Sequence, residues 1–206
     1  MADQPTRRKI KCIMVGESGS GKTTAAIRYA EGRFCRGHIP TDEAKFQTLV
    51  TIDDEDIELQ LEDTAGRNQF INVKIRALQY PKSDIALIAF DLRSLASLSY
   101  AFDIFYPEIS QHLPKVPIIL AGMKSDLIDG TPGRRYDRNC TEEDISSTIK
   151  KINPVVYHAC SAKLNEGVTE LFQNVARVVI KGYSICLLYT SPSPRAATLS
   201  RMPSSA

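Results

Sequence analysis

Apolar residues recur in two rhythms along this chain. Short runs stand at Lys11–Val15, Ile85–Phe90 and Val116–Ala121. Runs of that length read as strands buried on both faces. Phe46–Ile52 is a β-type run, and Ile57-Glu58-Leu59-Gln60-Leu61 alternates apolar and polar residues. Asp53-Asp54 lies between them, so the pair reads as a hairpin with its first member an antiparallel edge. Val155–His158 gives a sixth, short strand. The second rhythm is helical. A helix is expected after residue 23, stopping near Gly32. Another covers Leu95–Leu113, sharpened or bent by Pro107. Thr141 reads as an N-cap before the acids Glu142, Glu143 and Asp144. The last helix carries a stripe of Val168, Leu171, Phe172, Val175, Ala176 and Val179.

Strands alternating with helices predict an α/β domain. Its mostly parallel six-stranded sheet has helices on both faces. Ligands in such sheets bind beyond the carboxyl ends of the strands. Residues 33–45 have no clean period and are expected to be a long functional loop. Residues 127–140, with Gly130, Pro132, Gly133 and three arginines, read as a surface insertion.

The chemistry is concentrated after the first strand. Gly16-Glu17-Ser18-Gly19-Ser20-Gly21-Lys22-Thr23 fits the phosphate-binding P-loop pattern. Glycines at 16, 19 and 21 let the backbone turn its N–H groups onto an anion. The following helix adds the positive end of its dipole. Lys22 is placed to reach the outer phosphates and the Thr23 hydroxyl to hold Mg²⁺. Asp63-Thr64-Ala65-Gly66 follows the third strand. Asp63 is expected to hold Mg²⁺ through water, and the Gly66 N–H to bond a γ-phosphate. Asp126, in Met123-Lys124-Ser125-Asp126, can accept two hydrogen bonds from the N1–H and N2–H₂ of guanine, a pair that adenine lacks. Lys124 is expected to lie across the base. Ala162, within Cys160-Ser161-Ala162-Lys163, is expected to present its N–H to the guanine carbonyl.

Composition adds limits. The 206 residues favour one domain, and 43% hydrophobic with 24% charged residues is ordinary for a soluble globular protein. A net charge of +2 implies no strong nucleic-acid or membrane field. The five cysteines lack metal-ligand spacing and read as reduced thiols in a cytoplasmic protein.

These residues carry a resemblance. Over about residues 9–181 the chain resembles a small GTPase of the Ras superfamily, a branch of the P-loop NTPase fold, and is most similar to the Rho/Rac group. Phe34–Thr41, Tyr80-Pro81-Lys82-Ser83-Asp84, Tyr106-Pro107-Glu108-Ile109 and Pro117-Ile118-Ile119-Leu120 resemble Rho proteins in particular. The resemblance implies a GTP/GDP switch with Mg²⁺, in which Thr41 closes on Mg²⁺ and γ-phosphate and Phe34 packs on guanine. Gly16, Ser18, Gly19, Ser20, Gly21, Lys22, Thr23, Thr24, Ser161, Ala162 and Lys163 are the further implied nucleotide contacts. Exchange factors, activating proteins and effectors are implied partners, through residues 33–46 and 66–79. Nucleic acid is not.

The chain also departs from the family. Asp42 and Glu43 replace apolar effector-contact residues, Met123 replaces a polar residue, and His38 stands where tyrosine is usual. The glutamine that orients the attacking water is replaced by Arg67, and a P-loop glycine by Ser18. A guanidinium has only donors and cannot accept from that water. Hydrolysis is therefore expected to be slow, with Lys22, Thr41 and Gly66 serving it and the role of Arg67 open. Two alternatives remain: a GTP-locked binding module with negligible turnover, and an ATP-using P-loop enzyme. Residues 1–8 read as a disordered lead. Residues 182–206 contain no Asp or Glu and read as a disordered tail of non-native character. Cys186-Leu187-Leu188-Tyr189 has the form of a lipidation box, but further residues follow it. No prenylation is expected of the chain as written, and membrane attachment only if the natural C-terminus carries such a box.

Overall fold

The computed structural model describes residues 7–36, 43–66, 76–128 and 138–182. Thr41, Arg67, His38, Asp42, most of the expected insertion and the tail beyond Gly182 lie outside the described residues. Six strands form one sheet: β1 (Arg8–Gly16), β2 (Glu43–Ile52), β3 (Glu55–Thr64), β4 (Ile85–Asp91), β5 (Ile118–Met123) and β6 (Val156–Cys160). Their order is β2-β3-β1-β4-β5-β6. Among the described strands only the β2–β3 pair is antiparallel, at the edge. Asp53 and Asp54 turn that hairpin with φ of 49° and 66°, the left-handed pair that matches strand twist.

The two-residue period of the strands divides the core between two faces. Ile10, Cys12 and Met14 of β1 join Ile85, Leu87 and Ala89 of β4 on one face. That face is covered by Ala25 and Ala26 of α1 (Lys22–Glu31) and by Leu171, Phe172 and Val175 of the C-terminal helix, Val168–Lys181. Ile13 and Val15 join Ala86, Ile88 and Phe90 on the other. Leu98, Ala101, Phe105 and Ile109 cover it, with Ile149 and Ile152 of the helix Glu142–Ile152.

Several boundaries differ from expectation. Arg8, assigned to the lead, pairs with Ile57 of β3. Residues 43–45, assigned to the loop, extend β2 because β3 supplies partners as far as Thr64. β5 begins at Ile118 rather than Val116, since Pro117 has no N–H for the ladder. The stretch from 95 to 112 is helical throughout but changes register. α2 (Leu95–Tyr100) passes through a π segment, Ala101–Phe105, into α3 (Tyr106–His112). Tyr106 donates to Ala101 O, five residues back. The wider turn falls just before Pro107, which lacks the N–H that an α-helix needs there. Glu142–Ile152 becomes α4, opened by a full capping box between Thr141 and Asp144. Val168–Lys181 is α5.

Candidate functional site

The loops after β1, β3, β5 and β6 share the carboxyl edge of the sheet, and the expected site residues that are described, which leaves out Thr41 and Arg67, gather there. In the P-loop, a side chain on Gly16 is impossible, because its Cβ would sit 2.2 Å from Ala89 O. Gly21 has φ of 115° and begins α1. Lys22 is buried and donates from Nζ to Gly16 O (2.8 Å) and Glu17 O (3.1 Å). Burial pushes its ammonium below the usual lysine range, against the pull of Asp63. The ammonium is thus held on the rim of the loop that it is expected to serve. Ser20 Oγ is buried with no hydrogen-bond partner among the described residues.

Thr23 donates its hydroxyl to Asp63 Oδ2. Asp63 is fully buried, and its Oδ1 has no hydrogen-bond partner among the described residues. Burial pushes its carboxyl above the ordinary range, opposed by Lys22 and the Thr23 hydroxyl. A hydroxyl and a carboxylate in contact, with one carboxylate oxygen spare, are a hard-oxygen donor set of the kind that suits Mg²⁺. Thr64 Oγ1 donates to Met14 O at 2.9 Å and fixes the end of β3 beside β1. Gly66 then lies directly on the P-loop. Ser18 N donates to Gly66 O at 3.1 Å, and a Cβ on Gly66 would meet Ser18 N at 2.4 Å.

A pocket of about 150 Å³ opens beside these loops, lined in part by Gly21, Thr24, Phe34, Asp126, Ala162 and Lys163. Asp126 Oδ1 accepts from Ser161 Oγ at 2.6 Å, while Asp126 Oδ2 has no hydrogen-bond partner among the described residues. Lys163 Nζ stands 3.7 Å from that second oxygen. Lys124 takes the left-handed conformation, φ 64°, and reaches back to Gly19 O (2.5 Å) and Asp91 Oδ2 (2.8 Å). Met123, where a polar residue is usual, is buried against Cys160, with Sγ to Sδ at 3.4 Å. That side chain therefore contributes packing.

Asp91 and Arg93 were not expected in the site. Asp91 carries no motif. Its one signal is that it is the acid ending an apolar strand on the ligand-binding edge.

A model of the Ras family matches residues 11–181. The chain belongs to the Ras family. It is similar to "GTP-binding protein rho4" of Schizosaccharomyces pombe, 35% identical over 185 residues that cover 83% of this chain and 86% of the relative. It is similar also to the human "Rho-related GTP-binding protein RhoD", 31% identical over 181 residues and 85% of each chain. The human "Rho-related GTP-binding protein RhoF" is 29% identical over 184 residues, covering 87% of this chain and 86% of the relative. This Ras-family chain is a Rho-like small GTPase, a GTP-binding switch that hydrolyses GTP. Among the described residues no helix is long and apolar enough to cross a membrane.

Proposed function

We propose that this GTPase holds its nucleotide by dividing the work among four loops and that it turns GTP over slowly. Asp126 reads guanine. The observation that carries this is its side chain, only 6% exposed, with one oxygen fixed by Ser161 and the other without a hydrogen-bond partner among the described residues. A buried carboxylate oxygen is costly unless paired, and the two guanine donors supply the pairing. Phe34 and Lys124 flank the base, and Ala162 offers its N–H, with Ser161 and Lys163 bracketing it.

Gly16, Ser18, Gly19, Ser20 and Gly21 wrap the phosphates, with Thr24 on the base side of α1. Lys22 moves from two loop carbonyls to the phosphates, exchanging one set of acceptors for a charged one. Thr23, Asp63 (through water) and Thr41 are the residues that would hold Mg²⁺. When bound, the ion neutralises charge on the phosphate oxygens. Gly66 offers its N–H to the γ-phosphate. Residues 33–46 and 66–79 then present the nucleotide state to exchange factors, activating proteins and effectors. Cytoplasmic residence completes the reading, with peripheral membrane attachment only if the natural C-terminus carries a lipidation box.

Slow turnover follows from two replacements. Arg67 cannot accept a hydrogen bond from water, and Ser18 adds a side chain where positioning of the attacking water matters most. The test is single-turnover hydrolysis of bound GTP, with and without an activating protein. It compares wild type, Arg67→Gln and Arg67→Gln/Ser18→Gly. Faster hydrolysis in the double variant is expected. Equal rates would show that Arg67 is catalytic or irrelevant. Retention of ATP as well as GTP would sink the guanine assignment.

A further inference from the structure

In the sheet, β4 runs between β1, which ends in the phosphate loop, and β5, which ends in the base-reading loop. Asp91 is the last residue of β4 and pairs with Met123 of β5. Its position therefore lies between the two loops that must grip opposite ends of one nucleotide.

The Asp91 carboxylate is buried. Oδ1 accepts from Arg93 N (3.0 Å) and Arg93 Nε (3.1 Å). Oδ2 accepts from Arg93 Nη2 (2.9 Å) and Lys124 Nζ (2.8 Å). Arg93 folds back from the turn directly after the strand, so that pair is local. Lys124 comes from the neighbouring loop, 33 residues away in sequence. The same Nζ donates to Gly19 O, 105 residues away. One ammonium therefore joins the ends of β4 and β5 to the phosphate loop. Its stem passes over that loop, with Cε 3.6 Å from where a Cβ on Gly21 would stand.

We propose that Asp91 is a positioning residue for nucleotide retention: by anchoring the Lys124 ammonium it presets the lysine stem that walls the nucleotide pocket. A lysine side chain has large rotamer freedom to lose on binding. Holding it at both ends beforehand removes that cost from the nucleotide's account. A purely structural role for Asp91 is already met elsewhere. Arg93 supplies its counter-charge, and the N-cap of α2 is made by Ser94, whose Oγ accepts from Ser97 N at 3.0 Å. The contact with Lys124 serves neither of those ends.

This inference rests on the guanine-site reading above. The experiment is the dissociation of a fluorescent GDP analogue in excess Mg²⁺, measured for wild type, Asp91→Asn, Lys124→Met and the double variant. Asp91→Asn is expected to release the analogue on the order of tenfold faster, the scale of one charge-assisted hydrogen bond. In the Lys124→Met background the same change is expected to add little, because its target is gone. Unchanged release in Asp91→Asn overturns the proposal. So does equal acceleration in both backgrounds, which would place the effect of Asp91 outside Lys124. Should Asp91→Asn not fold, Asp91→Ser removes the carboxylate with a smaller polar group, and the same two criteria apply. Asp126→Ala separates the two levels. If it leaves retention intact, the guanine-site reading fails. If it abolishes retention while Asp91→Asn does nothing, only the role of Asp91 fails.

Discussion

Arg76 and Glu108, 32 residues apart, form a bidentate ion pair with side chains only 1% and 6% exposed. Nε and Nη2 of Arg76 donate to Oε1 and Oε2 of Glu108 at 3.0 and 2.6 Å. Tyr80 donates its hydroxyl to the same Oε1. Burial, then the Glu108 carboxylate, pushes that phenol well above the usual tyrosine range, so it stays a donor at any physiological pH. Arg76 Nη1 donates to Ala65 O at 3.1 Å. The residue before Gly66 is thereby tied through one guanidinium to Glu108 of α3.

Removing either partner strands a buried charge. Glu108→Ala is expected to cost about 3–5 kcal/mol of stability, the range for breaking a buried pair from one side. Arg76→Ala should cost a similar amount and also free Ala65 O. Urea unfolding of the GDP-loaded protein measures both. A loss under about 1 kcal/mol, the value of an exposed pair, would show that the pair is not buried in solution.

Base selection has a sharper signature. Asp126→Ala should lose guanine nucleotide by at least the about 1–3 kcal/mol of leaving polar groups unpaired. Asp126→Asn should gain affinity for xanthine nucleotides, since its amide offers a donor where the carboxylate offers an acceptor. Competition binding with GDP and xanthosine diphosphate reads both. Unchanged GDP affinity in Asp126→Ala ends the assignment.

These cases show what was legible in the sequence. The P-loop residues, Asp63 and Asp126 each sit in a short motif beside a strand, so spacing and strand pattern located them together. The sheet was legible for the same reason: apolar runs of strand length alternate with helical stripes. Arg76 and Asp91 carry no local pattern, and Glu108, though it lies in the Rho-like stretch Tyr106–Ile109, shows no sign there of its partner. Their meaning depends on which side chains the fold brings to them across tens of residues. Glu43 and Lys45 fall in the stretch without a clean period that reads as a loop, yet they are strand residues paired with Thr64 and Glu62. Edge pairing with β3, not their own propensity, decides their conformation.

His158 gives a pH dependence. It is buried, and its Nε2 lies 2.7 Å from Gly167 O, so the neutral ring must donate there. Burial pushes its pKa below the ordinary value, against the carbonyl of Gly167 and the charge of Glu170. A depressed folded pKa means that the unfolded chain binds the proton first. The contribution to stability is whole above the unfolded value of about 6.5 and is lost as pH falls toward the folded one. Urea midpoints at neutral and mildly acidic pH should therefore drop more for wild type than for His158→Gln. Parallel lines for the two proteins would remove His158 as the cause.

Two glycines separate steric crowding from backbone strain. A Cβ on Gly66 would meet Ser18 N at 2.4 Å, Glu17 C at 2.7 Å and Gly16 O at 2.7 Å, all backbone. No side chain can swing aside, so Gly66→Ala must lift the strap formed by Ala65 and Gly66 from the P-loop and break the Ser18 N to Gly66 O bond. Overpacking of this kind costs about 1–3 kcal/mol. Gly32, the C-cap of α1, has nothing within 4 Å of its would-be Cβ but sits at φ 71°. Gly32→Ala should therefore cost about 1–2 kcal/mol, from left-handed strain alone. The two losses overlap in size, so stability cannot tell them apart, but hydrogen exchange can. In Gly66→Ala the Ser18 amide should lose protection while α1 keeps its own. In Gly32→Ala the last turn of α1 should fray and Ser18 should be unaffected. Protection of Ser18 in Gly66→Ala equal to wild type would show that the strap does not rest on the P-loop in solution.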